Sequence, residues 1–181
     1  MRITTKTGDD GTTGLFYGGR VPKNSPLPMA YGAVDEAQAF VGLARAESDD
    51  EELTDLLGRI AKDLYVLMAE LATLPENHGK LEGGVTRVTD EMVEALELMM
   101  DDLAGRFEAP TEFVIPGQAK VPALLDVART VVRRAEREAI TAVEHGPVVV
   151  YLNRLSDLLW TMARWQEGAS VGSKGAEGTV A

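Results

Sequence analysis

Residues 121–143, VPALLDVARTVVRRAEREAITAV, decide the fold. Val121, Leu125, Ala128, Val132, Ala135, Ala139 and Val143 recur at steps of three and four, or sums of these. That spacing gathers side chains on one side of an α-helix, which turns by about 100° per residue. The resulting apolar stripe faces a core. Within RTVVRRAERE (129–138) the same helix carries four arginines and two glutamates. Arg129 and Glu136 fall at one edge of the stripe, Arg133 and Arg137 farther round the same side, and Arg134 and Glu138 on the far flank. Two readings stay open. As a solvated face, each exposed Glu–Arg pair contributes about 0.3–0.5 kcal/mol. As an anion site, the planar guanidinium forks grip phosphate oxygens in pairs, which lysine does less well.

Working outward, Ala30, Val34, Ala37, Phe40, Val41 and Ala44 set the same period for a helix from Met29 to about Glu47. After SDDEE, where Ser48 or Asp49 can cap, Leu53, Leu56, Leu57, Ile60, Leu64, Leu67, Met68 and Leu71 predict a second helix that stops by Pro75. NHGKLEGG reads as a loop. TDEMVEALELMMDDLAGRF predicts a third helix capped by Thr89 or Asp90, with an acidic first turn that suits the helix dipole, ending near Phe107. EAPTEFVIPG contains two prolines and a glycine and holds Phe113, Val114 and Ile115 extended. The fourth helix ends near Glu144 at HGP, and a fifth runs from about Val148 to Gln166. On that helix Leu152, Leu155, Leu159 and Met162 form one stripe, while Asn153, Asp157, Trp160 and Arg164 form roughly the opposite one. A polar line that includes a tryptophan argues against plain solvent surface. Residues 1–28 read as a loop and 168–181 as a disordered tail. The whole predicts a single all-α domain over 1–167, a five-helix bundle.

The chain has 181 residues, with 18 Lys+Arg against 29 Asp+Glu and a formal net charge of -11. That balance argues against nucleic acid or an anionic membrane as partner. Cysteine is absent, which excludes disulfides, thiolate metal sites and cysteine nucleophiles. No segment has the length and apolarity of a membrane span, so a soluble, cytoplasmic protein is expected. His78 and His145 sit beside glycines without a partner histidine at ligand spacing, and neither is a metal candidate. The methionines read as core filler.

The N-terminal TKTGDDGTTG (5–14) supplies glycine backbone amides, hydroxyls and Lys6, which together could approach an anion; Lys23 in RVPK could add a second cation. It lacks the Gly-Lys-Ser/Thr ending of a Walker A loop, and a flexible turn is the plain alternative. Asp35 lies opposite the apolar stripe of its helix, facing solvent or another subunit.

Three groups of residues, TKTGDDGTTGLF with RVPK, YGAVDE at 31–36, and ARTVVRRAERE with YLNRLSDLLWTMAR, together resemble the PduO-type ATP:cob(I)alamin (corrinoid) adenosyltransferases, in family order and over nearly the whole chain. The resemblance implies a homotrimer with active sites between subunits. It implies transfer of the 5'-deoxyadenosyl group of ATP to the cobalt of cob(I)alamin, giving adenosylcobalamin and triphosphate. It assigns Thr5, Lys6, Thr7, Gly8, Thr13, Lys23, Arg133, Arg134, Glu136, Arg137 and Asn153 to ATP, with Arg133 neutralising triphosphate and Asn153 near phosphate-bound Mg2+. Asp35 and Arg129 match an intersubunit salt bridge that bears on cobalamin. Phe113 matches an aromatic that crowds the lower corrin face and excludes the dimethylbenzimidazole ligand, leaving four-coordinate cob(II)alamin. A flavin-type reductase and an adenosylcobalamin-dependent enzyme are the implied partners. Asp10 and Gly14 depart from some relatives, which leaves a non-catalytic storage, delivery or ATP-sensing protein as the alternative.

Overall fold

The computed structural model describes residues 4 and 6–173. Five α-helices form the bundle: α1 (Pro26–Ala46), α2 (Glu51–Leu71), α3 (Asp90–Ala104), α4 (Lys120–Ala142) and α5 (Pro147–Glu167). Helix α1 packs on α2 and α4, α4 packs on α5, and α5 packs on α3. The helix pattern read from sequence holds at the core. Leu125, Ala128, Val132, Ala135 and Ala139 of α4 are fully buried in one core with Val34, Ala37 and Val41 of α1, Leu57, Ile60 and Leu64 of α2, and Leu152, Leu155 and Leu159 of α5.

The helix ends follow local chemistry. Helices α1 and α5 begin at prolines, whose missing N–H removes nothing the first turn could use. That starts α1 three residues ahead of the expected Met29. Helix α2 is capped by Asp50 rather than by Ser48 or Asp49: Asp50 Oδ1 accepts from Leu53 N at 2.9 Å. Ser48 instead accepts from Asp50 N and so sets the turn that presents the cap. Leu53's amide and then the Gln166 side chain, which donates to Asp50 Oδ2 at 2.9 Å, hold the Asp50 carboxyl below its ordinary range. The cap therefore also ties the start of α2 to the end of α5.

Two segments read as structureless are ordered. The N-terminal loop contains a short antiparallel pair, β1 (Thr12–Gly14) with β2 (Arg20–Pro22). Its turn needs Gly18 and Gly19 at φ 102° and 92°, which glycine adopts without a Cβ clash. Residues 75–80 form a 3-10 turn rather than open loop. Buried Leu15 and the bond from Phe16 N to Ala72 O at 2.8 Å fasten the hairpin to the end of α2.

The extended segment at 113–115 is as expected, and it has a partner the sequence did not suggest. Ile115 N donates to Val171 O at 2.9 Å and Ser173 N to Phe113 O at 2.7 Å, so residues 171–173, read as disordered tail, pair with it. Residues 174–181 lie outside the described residues.

Candidate functional site

The N-terminal loop closes around a cavity of about 310 Å3 lined by Thr4, Lys6, Thr7, Gly8, Asp9, Thr12, Thr13, Gly14, Arg20 and Lys23. Of the loop residues assigned to ATP, Lys6, Thr7, Gly8, Thr13 and Lys23 are thus brought together; Thr5 lies outside the described residues. Gly8 is where the chain approaches most closely. A Cβ there would sit 3.0 Å from Lys23 Nζ and 3.2 Å from the Thr12 carbonyl oxygen. Gly11, at φ 82°, turns the chain so that its carbonyl accepts from Lys23 N at 2.9 Å.

Arg20, which sequence reasoning missed, braces this loop. Its Nη2 donates to Thr7 O at 2.5 Å and to Thr12 Oγ1 at 2.6 Å, and Nε donates to the same hydroxyl at 3.1 Å. Asp10 is the other brace: its Oδ1 accepts from Thr12 N at 2.9 Å and Thr12 Oγ1 at 2.8 Å, with Arg20 Nη2 3.7 Å away. Thr12's amide, then its hydroxyl, hold the Asp10 carboxyl below its ordinary value, with a smaller pull from Arg20. The aspartate that departs from some relatives is therefore part of the loop's own scaffold. The only signal in the sequence was an arginine placed directly after GG.

The second cluster is on α4 and α5. Arg133 and Arg137 are exposed, and Arg137 Nη1 donates to Arg133 O at 3.0 Å, which lays its side chain back along the helix. Glu136 Oε1 accepts from Asn153 Nδ2 at 3.1 Å, so these two come together as a half-buried pair across the helix contact. Asn153 Oδ1 accepts in turn from Arg154 Nη1 at 2.9 Å, and Arg154 Nε is held by Glu97 of α3 at 2.6 Å. Arg134 is bonded to Glu36 of α1. Helical spacing had set Arg134 on the far flank, but α1 lies alongside that flank and supplies the carboxylate.

The corrinoid-assigned residues are distributed differently. Asp35 is exposed and makes no ion pair with any described residue. Arg129, 29% exposed, gives its Nε to Asp126 Oδ1 at 3.1 Å within the same chain. Phe113 is 88% exposed although its own carbonyl and the Ile115 amide are tied down by residues 171–173. It borders a shallow cavity of about 440 Å3 with Pro110, Thr111, Glu112 and Ser173.

The structure does not bring the two clusters into one cavity: none of Arg133, Arg134, Glu136, Arg137 or Asn153 lines the N-terminal loop cavity of the same chain. His78 and His145, far apart in sequence, do line a common cavity of about 540 Å3 with Glu70 and Arg87. The described residues contain no group of three or more His, Asp or Glu placed to hold a metal ion. Among the described residues, no helix is long and apolar enough to cross a membrane.

The cobalamin adenosyltransferase family model matches residues 3–166. The corrinoid adenosyltransferase of Mycobacterium tuberculosis (strain ATCC 25618 / H37Rv) is 44% identical over 173 residues, covering 90% of this chain and 87% of its own. That of Citrobacter freundii is 41% identical over 92% of this chain and 95% of its own. Among solved structures, a phenylalanine-to-histidine variant of a PduO-type ATP:corrinoid adenosyltransferase from Lactobacillus reuteri, complexed with cobalamin and ATP, superposes with TM-score 0.83 at 29% identity, over 92% of this chain and 91% of that one. An arginine-to-lysine variant of the same type, complexed with ATP, superposes with TM-score 0.81 over 91% and 94%.

Proposed function

The chain belongs to the cobalamin adenosyltransferase family, and from that membership we propose how its residues perform ATP-dependent adenosyl transfer to a corrinoid. In the reaction, the electron pair of the cob(I) nucleophile forms the cobalt–carbon bond at the ribose 5'-carbon. The bond from that carbon to oxygen breaks, the triphosphate leaves with its electron pair, and cobalt ends two oxidation levels higher. No proton is transferred at the reacting atoms. Catalysis therefore rests on holding nucleophile and leaving group in line and on stabilising the charge that builds on triphosphate.

The active site is formed between two copies of the chain. The observation that carries this is the separation of the two ATP-assigned clusters within one chain: the Lys6, Thr7, Gly8, Thr13 and Lys23 cavity lacks every α4 arginine. Exposed Asp35 is free to meet Arg129 of a neighbouring copy, and Met29, Leu43, Val127 and Ile140 leave apolar surface exposed on α1 and α4 for such an assembly. A closed trimer satisfies these contacts by one repeated head-to-tail interface.

In that arrangement the loop amides and Lys23 hold the phosphates, and Arg133, exposed and without an acidic partner among the described residues, neutralises the leaving triphosphate. Arg134 and Arg137 flank it. Glu136 holds the Asn153 amide nitrogen, and Asn153 Oδ1, now bonded to Arg154 Nη1, is the single neutral oxygen that would turn toward an Mg2+ held chiefly by phosphate oxygens and water. Bound there with ATP, Mg2+ would draw off leaving-group charge. Phe113 supplies the apolar contact at the corrin face. The reduced corrinoid comes from a reductase, and the product serves an adenosylcobalamin-dependent enzyme.

The test is to mix the protein, MgATP and chemically reduced cobalamin and follow loss of cob(I)alamin absorbance. Conversion to a light-sensitive product is expected, and Arg133→Ala should lose it while the assembly seen by light scattering persists. Near-normal turnover in Arg133→Ala would overturn the phosphate role.

A further inference from the structure

Arg164 had been placed by helical spacing on a polar stripe of α5, yet its side chain is only 2% exposed. It is buried because α4 supplies a carboxylate at the crossing of the two helices. Asp126, side chain 8% exposed, accepts from Arg164 Nη2 at 2.6 Å through Oδ2 and from Arg129 Nε at 3.1 Å through Oδ1. On its other side, Arg164 Nε lies 3.2 Å from Glu167 Oε2, whose side chain is 1% exposed. The Trp160 ring lies beside the guanidinium, 5.9 Å from centroid to Cζ. Ser170 Oγ then donates to the same Glu167 oxygen at 2.7 Å, one residue before the chain pairs with Phe113 and Ile115. A continuous line of polar contacts thus runs from Arg129 on α4 to the backbone that carries Phe113.

The charges in this line balance: two carboxylates, Asp126 and Glu167, face two guanidiniums, Arg129 and Arg164. Buried ion pairs offset their desolvation only while each charge keeps its partner. The Glu167 end is the looser one, because Glu167 Oε1 and Arg164 Nε are buried without a hydrogen bond among the described residues. Arg129 is the more exposed of the two arginines, at 29% against 2%, and so is the one able to turn outward to another carboxylate. Were it to turn, Asp126 would have only Arg164 to balance it, and Arg164 would be drawn away from Glu167.

We propose that Asp126 is a positioning residue for corrinoid seating: one carboxylate oxygen holds Arg129, the other holds Arg164, and the pair couples the subunit-facing arginine to the C-terminal segment that braces Phe113. The proposal rests on the adenosyltransferase reading for its kinetic consequences and on geometry alone for its structural one.

The structural consequence is read by hydrogen exchange on the full-length protein, without substrate. In Asp126→Asn the amides of Ile115 and Ser173 should exchange about tenfold faster, while amides in the middle of α2 keep their rates. Given wild-type turnover, Asp126→Asn should also raise the KM for cobalamin about tenfold with the ATP KM within about twofold, and reduce the fraction of bound cob(II)alamin in the four-coordinate form seen by electron paramagnetic resonance. Ser170→Ala, which cuts only the far end of the line, should shift the same observables about threefold. If Asp126→Asn fails to fold, Ser170→Ala decides alone. Unchanged exchange at Ile115 and Ser173 in the folded variants overturns the coupling, and equal rises in both KM values reduce it to general loosening, which also overturns it. A wild-type protein with no turnover would instead refute the functional reading, leaving the exchange result to stand or fall by itself.

Discussion

Replacing Arg20 tests whether the N-terminal loop, proposed above to hold ATP, works because it is held in shape. Arg20 makes three hydrogen bonds, to Thr7 O at 2.5 Å and to Thr12 Oγ1 at 2.6 and 3.1 Å, from a side chain that is 46% exposed. Bonds to a charged group are worth roughly 1.5–3 kcal/mol when buried, but solvent screening at this exposure cuts each to about 0.5 kcal/mol. Three of them sum to about 1.5 kcal/mol of loop order, close to a tenfold change in the population of the ordered loop. Arg20→Ala should therefore raise the ATP KM about tenfold at saturating cob(I)alamin. The cobalamin KM should hold, as should the melting temperature, because the loop contributes little to the helical core. Arg20→Lys separates bracing from general attraction to ATP: a lysine keeps the charge but cannot span Thr7 and Thr12 with a fork, so its ATP KM should rise nearly as far. Steady-state kinetics with each substrate varied in turn supplies the measurement. An unchanged ATP KM in Arg20→Ala, or full rescue by lysine, would refute the bracing argument.

Three further outcomes follow from contacts elsewhere in the chain. Burial pushes the Asp63 carboxyl above its ordinary 3.8, only partly offset by the Tyr151 hydroxyl at 2.9 Å and by Arg59. A raised carboxyl binds its proton more tightly in the folded chain, so its favourable contribution is complete below the ordinary value and is lost as pH rises through the folded one. Asp63→Asn keeps an acceptor for Tyr151 and has no charge to bury, so its melting temperature should gain on wild type as pH rises from about 4 to 7; a pH-independent difference would contradict this. Glu70→Ala leaves the buried Val88 amide, now bonded to Glu70 Oε2 at 2.6 Å, without an acceptor, which costs about 2 kcal/mol and lowers Tm by roughly 4–8 °C, with Glu70→Gln recovering most of it. Phe113→Ala removes a side chain that is 88% exposed, so thermal melts should change little while turnover that begins from cob(II)alamin and a reductant falls far more than turnover supplied with cob(I)alamin.

The helices were legible because their apolar residues repeat at helical steps, and Leu57, Ile60 and Leu64 on α2 or Leu125, Ala128 and Val132 on α4 proved fully buried. Their ends were less legible. Asp50 caps α2 because Ser48 shapes the preceding turn, a relation between side chain and backbone that residue type alone leaves open among neighbours. The β1–β2 hairpin left no alternating signal, since each strand has three residues and only Gly18 and Gly19 mark the turn. A single-helix projection placed Arg164 on a polar stripe because it cannot include the neighbour that crosses it; Asp126 on α4 supplies the charge that makes burial tolerable. Arg134 and Glu36 were missed as a pair for the same reason. The glycines and cations of the loop were readable as a cluster, and they line one cavity, whereas Arg20 acts through the loop's carbonyl and hydroxyl groups and carries no motif of its own.

The most direct test of the account is the identity of the phosphorus-containing product. With protein, MgATP and cob(I)alamin, phosphorus NMR should show inorganic triphosphate appearing in step with adenosylcobalamin, one for one. Formation of ADP with orthophosphate, or of adenosylcobalamin without triphosphate, would contradict attack of cobalt at the ribose 5'-carbon.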